Sequence, residues 1–239
     1  FLHEHAFAGK RFEISAPRGE FVLPATRHSA YVFCSAGSGI TPVYAMVREL
    51  LTAGTDAEIY FCHAARSPEA VIFRPELEHL AETHANFFPH LFLSEAEGVE
   101  KRRLSFEALA PLLPSMQNAA VFLCGPGDFV KNLEVGFSAS QNYSVRSEYF
   151  TLPPAGATEG QVHFLKTGLA TKAEGNLLEV AEASGLKPKH GCRRGICHEC
   201  KAHKISGTVK NILTGRETQG KENIQLCISE AVGSVEVEL

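Results

Sequence analysis

The sequence predicts an α/β domain built on a parallel β-sheet, followed by a smaller α+β domain. Three observations predict this arrangement. Up to residue 150, apolar strands alternate with amphipathic helices, which is the pattern of βαβ units. Residues 151–160 are TLPPAGATEG, and adjacent prolines among small residues and glycines are typical of an interdomain linker. Beyond the linker, residues 190–200 contain three of the seven cysteines, which indicates a unit organised around a metal site.

The first 150 residues divide into an N-terminal segment and the α/β domain, residues 25–150. Residues 1–24 include KRFEISAPRGEFVLP, which predicts a strand, a Pro-Arg-Gly turn and a second strand outside the parallel sheet. The predicted strands of the domain lie at 31–36, 57–64, 86–95, 119–125 and 143–150. The predicted helices between them lie at 43–54, 74–84, 105–113 and 127–137. Ser105 is the expected N-cap of the third helix.

The second domain, residues 161–239, is predicted to be small and mixed. Residues 161–175 indicate a β-hairpin, and residues 176–185 indicate a short helix. Asn176 is the expected N-cap of this helix, and Gly185 is its expected stop. The last residues, 232–239, predict a final strand.

The composition is that of an ordinary globular protein. Of 239 residues, 44% are hydrophobic and 21% are charged, and the formal net charge is −4. This balance gives no bias toward nucleic acid, and no run of about 18 apolar residues predicts a membrane span. No signal peptide is evident. Cys34, Cys62 and Cys124 lie in apolar runs, and buried free thiols suit a reducing compartment, so we expect a cytoplasmic protein.

The cysteine spacing is the most specific pattern in the chain. It is C-x4-C-x2-C-x26-C, formed by Cys192, Cys197, Cys200 and Cys227. This is the plant-type arrangement for a 2Fe–2S cluster. Two irons need four thiolates, and glycines in the loop allow three sulfurs to wrap around a cluster. A zinc site with four cysteine ligands is the alternative, although zinc usually takes its ligands as two short pairs.

The cysteine loop is also basic. Residues 185–204 contain one acidic residue, Glu199, and six basic ones, which are Lys187, Lys189, Arg193, Arg194, Lys201 and Lys204. These cations either steer an oppositely charged partner toward the cluster, or offset the charge of the cluster, or dock the module on its own neighbour. The sequence leaves these interpretations open.

A glycine loop joins the first predicted strand to the first predicted helix. The sequence CSAGSGITP makes the candidate dinucleotide-binding residues Gly37, Ser38, Gly39, Ile40, Thr41 and Pro42. Glycines let the backbone approach a pyrophosphate, and a helix N-terminus supplies unpaired N–H groups. The match to G-x-G-x-x-G is incomplete because Pro42 stands at the third glycine, so a simple tight turn is the alternative.

Two further candidates stand at strand ends. Arg66 follows the second strand, where an NAD-binding unit has an acid for the ribose hydroxyls and where an arginine can accommodate a 2′-phosphate. A solvated loop arginine is the alternative. Cys124, Gly125 and Pro126 end the fourth strand, and ligands bind at the carboxyl ends of parallel strands. Cys124 as an ordinary core thiol is the alternative.

Taken together, these residues resemble the ferredoxin–NADP reductase superfamily, and most of all its oxygenase reductases with a C-terminal ferredoxin, the phthalate dioxygenase reductase type. The matching pieces follow the family's order: PRGEFVLP, GSGITP, HAARS with FRPEL, LCGP, SEYF and then the cysteines. The resemblance implies a Rossmann-like domain followed by a β-grasp ferredoxin domain. It also implies that Gly37 to Pro42 hold the dinucleotide, that Arg66 lies near the adenosine ribose, and that Phe150 lies close to a flavin. Cys124 would lie beside the hydride path at the nicotinamide, which makes it the catalytic candidate.

One departure from the family concerns the flavin, FAD or FMN. The family carries a flavin-binding antiparallel barrel with an R-x-Y-S motif before the nucleotide domain. Here residues 1–24 resemble only the last strands of that barrel, no R-x-Y-S is present, and the first residue is Phe. We therefore expect a sequence truncated at its N-terminus, with the flavin bound in the intact protein.

The resemblance implies the reductase component of a multicomponent system. Electrons would pass from NAD(P)H through flavin to the 2Fe–2S cluster, and then through the basic loop to a terminal oxygenase, hydroxylase or desaturase. A flavin is expected because a nicotinamide gives two electrons whereas the cluster takes one at a time. The alternatives are a non-enzymatic, zinc-stabilised module and a stand-alone electron carrier without its own flavin. The choice between NADH and NADPH stays open.

Overall fold

The computed structural model describes residues 2–14, 16–17, 19–95, 103–109, 111–112, 119–140, 143–152 and 160–239. The described residues form a five-stranded sheet and a six-stranded sheet. The fold class predicted from the sequence is confirmed. The predicted domain boundaries at 25–150 and 161–239 remain predictions, and residues 153–159 of the predicted linker lie outside the described residues.

The first sheet is entirely parallel and carries helices on both faces. Its strands are β1 (Ala30–Ala36), β2 (Glu58–Ala65), β3 (Phe87–Leu93), β4 (Ala119–Gly125) and β5 (Tyr143–Tyr149). The helices of this half are α1 (Leu2–His5), α2 (Ile40–Thr52), α3 (Arg74–Thr83), α4 (Phe106–Leu109) and α5 (Gly127–Ser140). The strand order is β3-β2-β1-β4-β5. The order therefore reverses between β1 and β4, and ligands bind at this switch point in such sheets.

Burial on both faces explains the apolar strands. All seven residues of β4 are buried, and one core contains α2 and α3 while the other contains α4 and α5. Continuous apolar strands of this kind occur where helices cover both faces of a parallel sheet. The helix periodicity read from the sequence is confirmed in α2, because its apolar stripe is buried: Ile40, Val43, Met46, Val47, Leu50 and Leu51. The Ser105 cap is also confirmed, because its Oγ accepts from Ala108 N at 3.3 Å.

The second sheet is mixed and is covered by one short helix. Its strands are β6 (Gly160–Phe164), β7 (Leu169–Ala173), β8 (Lys201–Asn211), β9 (Glu217–Gln219), β10 (Glu222–Gln225) and β11 (Ser229–Glu238). The order is β10-β8-β11-β6-β7, with β9 paired to β8, and β11 runs parallel to β6. Helix α6 (Leu177–Ala183) packs on this sheet, and the Asn176 side chain accepts from Glu179 N at 3.0 Å, as expected of its N-cap.

The N-terminal segment corrects one expectation. The strand, turn and strand predicted within residues 10–24 are not formed, since the described residues there contain no strand. A strand needs a partner for its backbone groups, and here Lys10 N bonds to Phe7 O and Val22 N to Glu20 O instead. Phe21 packs edge-on against Phe122 of β4 at 5.8 Å between ring centroids, and Arg146 Nη1 donates to Val22 O at 2.8 Å. Contacts with side chains of the sheet therefore hold this segment.

Strands β8, β9 and β10 are elements that the sequence analysis did not predict. Their residues alternate irregularly, and the pairing of the long strand β8 with β11 shifts register at Gly207, whose φ is 84°. Within the described residues, no helix is long and apolar enough to cross a membrane.

Candidate nucleotide cleft and cysteine site

The glycine loop crosses the carboxyl end of the neighbouring strand. Gly37–Gly39 form one 3-10 turn directly before α2, and the Thr41 hydroxyl donates to Ser38 O at 3.0 Å. A Cβ on Gly39 would lie 2.3 Å from Cys124 O. Only glycine therefore allows the backbone of the loop to pass this closely over β4, which brings two predicted pieces of the site together.

A large cleft of the first unit opens beside this loop. Its volume is about 890 Å³. Three of the predicted residues, Gly37, Arg66 and Pro126, line it. The cleft also contains residues that the sequence analysis did not single out, among them Ser94, Arg103, Asp128, Phe129 and Asn132. Its position at the carboxyl edge of the sheet and its size suit an extended ligand such as a dinucleotide.

A row of polar side chains crosses the first sheet at the same edge. Ser35 is in register with His63 of β2 on one side and with Cys124 of β4 on the other. Cys124 is in turn in register with Glu148 of β5. Ser35 Oγ lies 2.9 Å from His63 Nδ1, and Cys124 Sγ lies 3.9 Å from Glu148 Oε2. Parallel pairing thus aligns four polar residues that are far apart in the sequence.

Burial controls the charge states in this row. It lowers the pKa of His63 to about 4, with the hydrogen bond to Ser35 opposing the change. Burial also raises the pKa of the Cys124 thiol, and the Glu148 carboxylate raises it further. Burial raises the pKa of Glu148, and the positive charge of Arg194 opposes this increase. At neutral pH the Cys124 side chain is therefore a neutral, buried thiol, and its catalytic role stays a prediction.

Phe150 and Arg194 connect the first unit to the cysteine loop. The backbone N–H of Phe150 donates to Gly125 O at 2.8 Å, which fixes Phe150 beside the end of β4. The guanidinium carbon of Arg194 lies 5.3 Å from the centre of the Phe150 ring, a cation–π contact. A cavity of about 350 Å³ adjoins this contact and is lined by residues of both units, including Glu148 and Ile196.

The four cysteines of the predicted cluster site lie together as two pairs. Cys192 and Cys197 each accept a hydrogen bond from the other's backbone N–H, at 3.3 and 3.2 Å. Cys200 and Cys227 lie 3.2 Å apart, sulfur to sulfur. This contact lowers the pKa of Cys200 to about 6 and raises that of Cys227. Gly195 N donates to Cys227 Sγ at 3.3 Å, so backbone donors already point at the sulfurs.

The paired arrangement fits two irons better than one zinc ion. Among the described residues, no three His, Cys, Asp or Glu side chains converge to hold a single metal ion. A 2Fe–2S cluster instead takes two thiolates at each iron, which the two pairs can supply. The backbone of the loop is left-handed at Arg193, Gly195 and His198, with φ of 57°, 77° and 58°.

The basic residues of the cysteine loop serve different contacts. Arg193 forms a two-pronged ion pair with Glu182, at 2.7 and 2.6 Å. Lys204 is fully buried and pairs with Glu222 at 2.7 Å. Arg194 faces the first unit. Docking on the neighbouring unit, one of the open interpretations, is thus observed for Arg194. The remaining three are exposed: Lys187, Lys189 and Lys201.

Known proteins match both halves of the chain. The family model of the oxidoreductase NAD-binding domain matches residues 33–134, and that of the 2Fe-2S iron-sulfur cluster binding domain matches residues 166–231. The beta subunit of a heme-dependent oxidative N-demethylase from Ectopseudomonas mendocina is 30% identical over 98% of this chain and 72% of its own length. The chain belongs to the oxygenase-reductase branch of the ferredoxin–NADP reductase superfamily.

One further relative and one solved structure support this family assignment. An NADPH oxidoreductase from Mycobacterium tuberculosis is 31% identical, over the whole of this chain and 64% of its own length. The chain thus spans about two thirds of the length of these curated relatives. The structure of phthalate dioxygenase reductase superposes with a TM-score of 0.57 at 23% identity, over 94% of this chain and 70% of that chain. This likeness shows the same fold.

Glu148, Arg103 and Arg194 are among the candidate site residues that the sequence analysis missed. Glu148 stands in SEYF, but only the pairing of β4 with β5 places it opposite Cys124. Arg103 follows a stretch of sequence without a motif. Arg194 was visible only as one of six cations, and nothing in its sequence context separated it from the others.

Proposed function

We propose that this chain is the nucleotide-binding and cluster-bearing part of an NAD(P)H-dependent electron-transfer reductase. The observation that carries the proposal is the contact of Arg194 with Phe150, because it joins the cysteine loop to the edge of the sheet where a dinucleotide would bind. The NADPH oxidoreductase among the relatives supports the assignment.

The first unit would bind the dinucleotide at the switch point of its sheet. Gly37 to Pro42 would carry the pyrophosphate, with Gly125 and Pro126 opposite. Arg66 and Arg103 both line the cleft, so two guanidinium groups are available for a 2′-phosphate. We therefore propose a preference for NADPH. Cys124 would lie beside the nicotinamide as a neutral thiol that shapes the pocket.

The second unit would hold the cluster. Cys192 and Cys197 would bind one iron, and Cys200 and Cys227 the other, because the structure already pairs them in this way. A flavin, FAD or FMN in the intact protein, supplies the conversion from a two-electron donor to a one-electron acceptor. Phe150 would lie close to that flavin.

The acceptor would be a terminal oxygenase, hydroxylase or desaturase. The oxidative N-demethylase named among the relatives supports an oxygenase-type partner. The net charge of −4 supports a protein acceptor over nucleic acid. We place this reductase in the cytoplasm, where its free thiols persist.

An anaerobic visible absorption spectrum tests the proposal. We expect the broad bands of a red-brown 2Fe–2S protein, bleached by dithionite. If NADPH alone leaves the bands unchanged, and NADPH with added flavin bleaches them, the chain needs a flavin to join its two sites. Bleaching by NADPH alone would show a direct route and contradict the role given to flavin. A colourless, zinc-containing protein would overturn the cluster assignment.

A further inference from the structure

A second concavity lies on the second unit, on the side of β8, β9 and β10. Its volume is about 490 Å³. It is lined mainly by polar side chains, which include His198, Lys201, Asn211, Arg216, Glu222 and Gln225. None of the residues of the nucleotide cleft lines it. This surface is therefore distinct from the nucleotide cleft.

The charge of this concavity is positive. Lys201 and Arg216 form no ion pair within 4 Å with any residue that the structure describes. The one carboxylate in the lining, Glu222, is neutralised at 2.7 Å by Lys204, which is fully buried behind it. Glu199 and Glu217 stand next to the lining in the chain, but they do not line it.

The concavity adjoins the cysteine site directly. Lys201 follows Cys200, and the side-chain amide of Gln225 donates to Gly195 O in the cysteine loop at 2.6 Å. His198 lines both this concavity and the 350 Å³ cavity at the first unit. The cysteine loop therefore lies between the contact with the nucleotide-binding unit and the basic concavity, which gives the loop one side for each partner.

We propose that this basic concavity docks an acidic segment of the protein that accepts electrons from the cluster. The inference rests on the proposed function and adds the exit side and the charge of the partner. In each encounter one electron leaves the reduced cluster and one electron reduces the acceptor, and no proton or bond is transferred. A recess of this volume receives a protruding loop, whereas a flat anionic membrane would contact only its rim.

The test uses the full chain with its cluster, reduced by dithionite and oxidised in a stopped-flow experiment. Two small acceptors of opposite charge are compared, ferricyanide and hexaammineruthenium(III). The variant is Lys201→Glu with Arg216→Glu, and the milder Lys201→Gln with Arg216→Gln serves if the first does not fold. The matched control is Lys166→Glu with Lys172→Glu, because these lysines are exposed and line no part of the concavity.

At low ionic strength we expect the charge reversal to slow oxidation of the cluster by ferricyanide about tenfold and to accelerate its oxidation by hexaammineruthenium(III). Both effects should be lost at high salt. The control variant should change both oxidation rates only slightly and by the same factor. Poly-L-glutamate should slow ferricyanide oxidation of the wild type and not of the variant. Rates equal to those of the control overturn the inference, and so does inhibition by phosphatidylserine vesicles without inhibition by poly-L-glutamate. Failure of the proposed function can be distinguished from failure of this inference, because it would already be visible before the kinetic test as missing cluster bands in the absorption spectrum.

Discussion

Substituting Gly39 with alanine should separate nucleotide binding from cluster binding. A Cβ at this position would lie 2.3 Å from Cys124 O and 2.8 Å from Gly125 Cα, whereas real Cβ atoms essentially never approach closer than 3.0 Å. Both neighbours are backbone atoms of a central, buried strand, so they cannot turn aside. The loop itself must therefore move by about 0.7 Å or more.

The structure sets the size of the expected effect. Forcing extra volume into a packed site costs about 1–3 kcal/mol of unfolding free energy. A displacement near 1 Å in a positioned site costs up to about 100-fold in function. We expect Gly39→Ala to weaken NADPH binding at least tenfold by isothermal titration calorimetry, while the visible spectrum of the cluster is unchanged.

Gly54→Ala is the matched control for this prediction. Unlike Gly39, whose backbone is right-handed, Gly54 has a left-handed backbone with φ of +68°, and a Cβ there meets nothing within 4 Å. The control should lose about 1 kcal/mol of stability through backbone strain alone and should bind NADPH normally. If Gly39→Ala binds NADPH like the wild type and is no less stable than Gly54→Ala, then the close crossing of loop and strand is wrong.

Three further predictions test other parts of the molecule. Cys227→Ser should abolish or strongly reduce the visible bands and iron content, whereas Cys62→Ser, at a thiol outside the cysteine site, should leave both intact. Burial lowers the pKa of His63 from 6.5 to about 4. As the pH falls, His63 is therefore protonated in the unfolded chain before it is protonated in the folded chain. The free energy of unfolding should then be unaffected by His63 above about pH 6.5 and should decrease by about 3 kcal/mol toward pH 4. Urea unfolding across this range should show the loss in the wild type and not in His63→Leu, and an equal slope in both would contradict the assignment. Arg66→Ala should lower the ratio of NADPH to NADH affinity about tenfold or more, while Arg74→Ala, at an exposed helix residue paired with Glu78, should leave that ratio unchanged.

Local patterns predicted the elements of the first sheet well. The run YVFCSA, the stripe from Val43 to Leu51 and the Ser105 cap each reflect interactions within a few residues, and each is present in the structure. The same is true of the Asn176 cap in the second unit. Strands β8 to β10 were missed because a strand in a mixed sheet is defined by its partners. The N-terminal segment was mispredicted for the same reason, since alternation in KRFEISAP does not supply a partner strand.

The sequence by itself determined the chemistry that the protein can carry. The spacing of Cys192, Cys197 and Cys200 and the glycine loop before α2 are local features, because residues that share one ligand stand close together along the chain there. The tertiary structure alone decided which residues meet. Strand order aligned His63, Ser35, Cys124 and Glu148 in one row. Packing of the two units turned Arg194 toward Phe150 and left Lys201 facing the basic concavity. Such contacts join residues that are distant in the chain. Side-chain charge alone does not distinguish a cation that binds its own chain from one that is available to a partner.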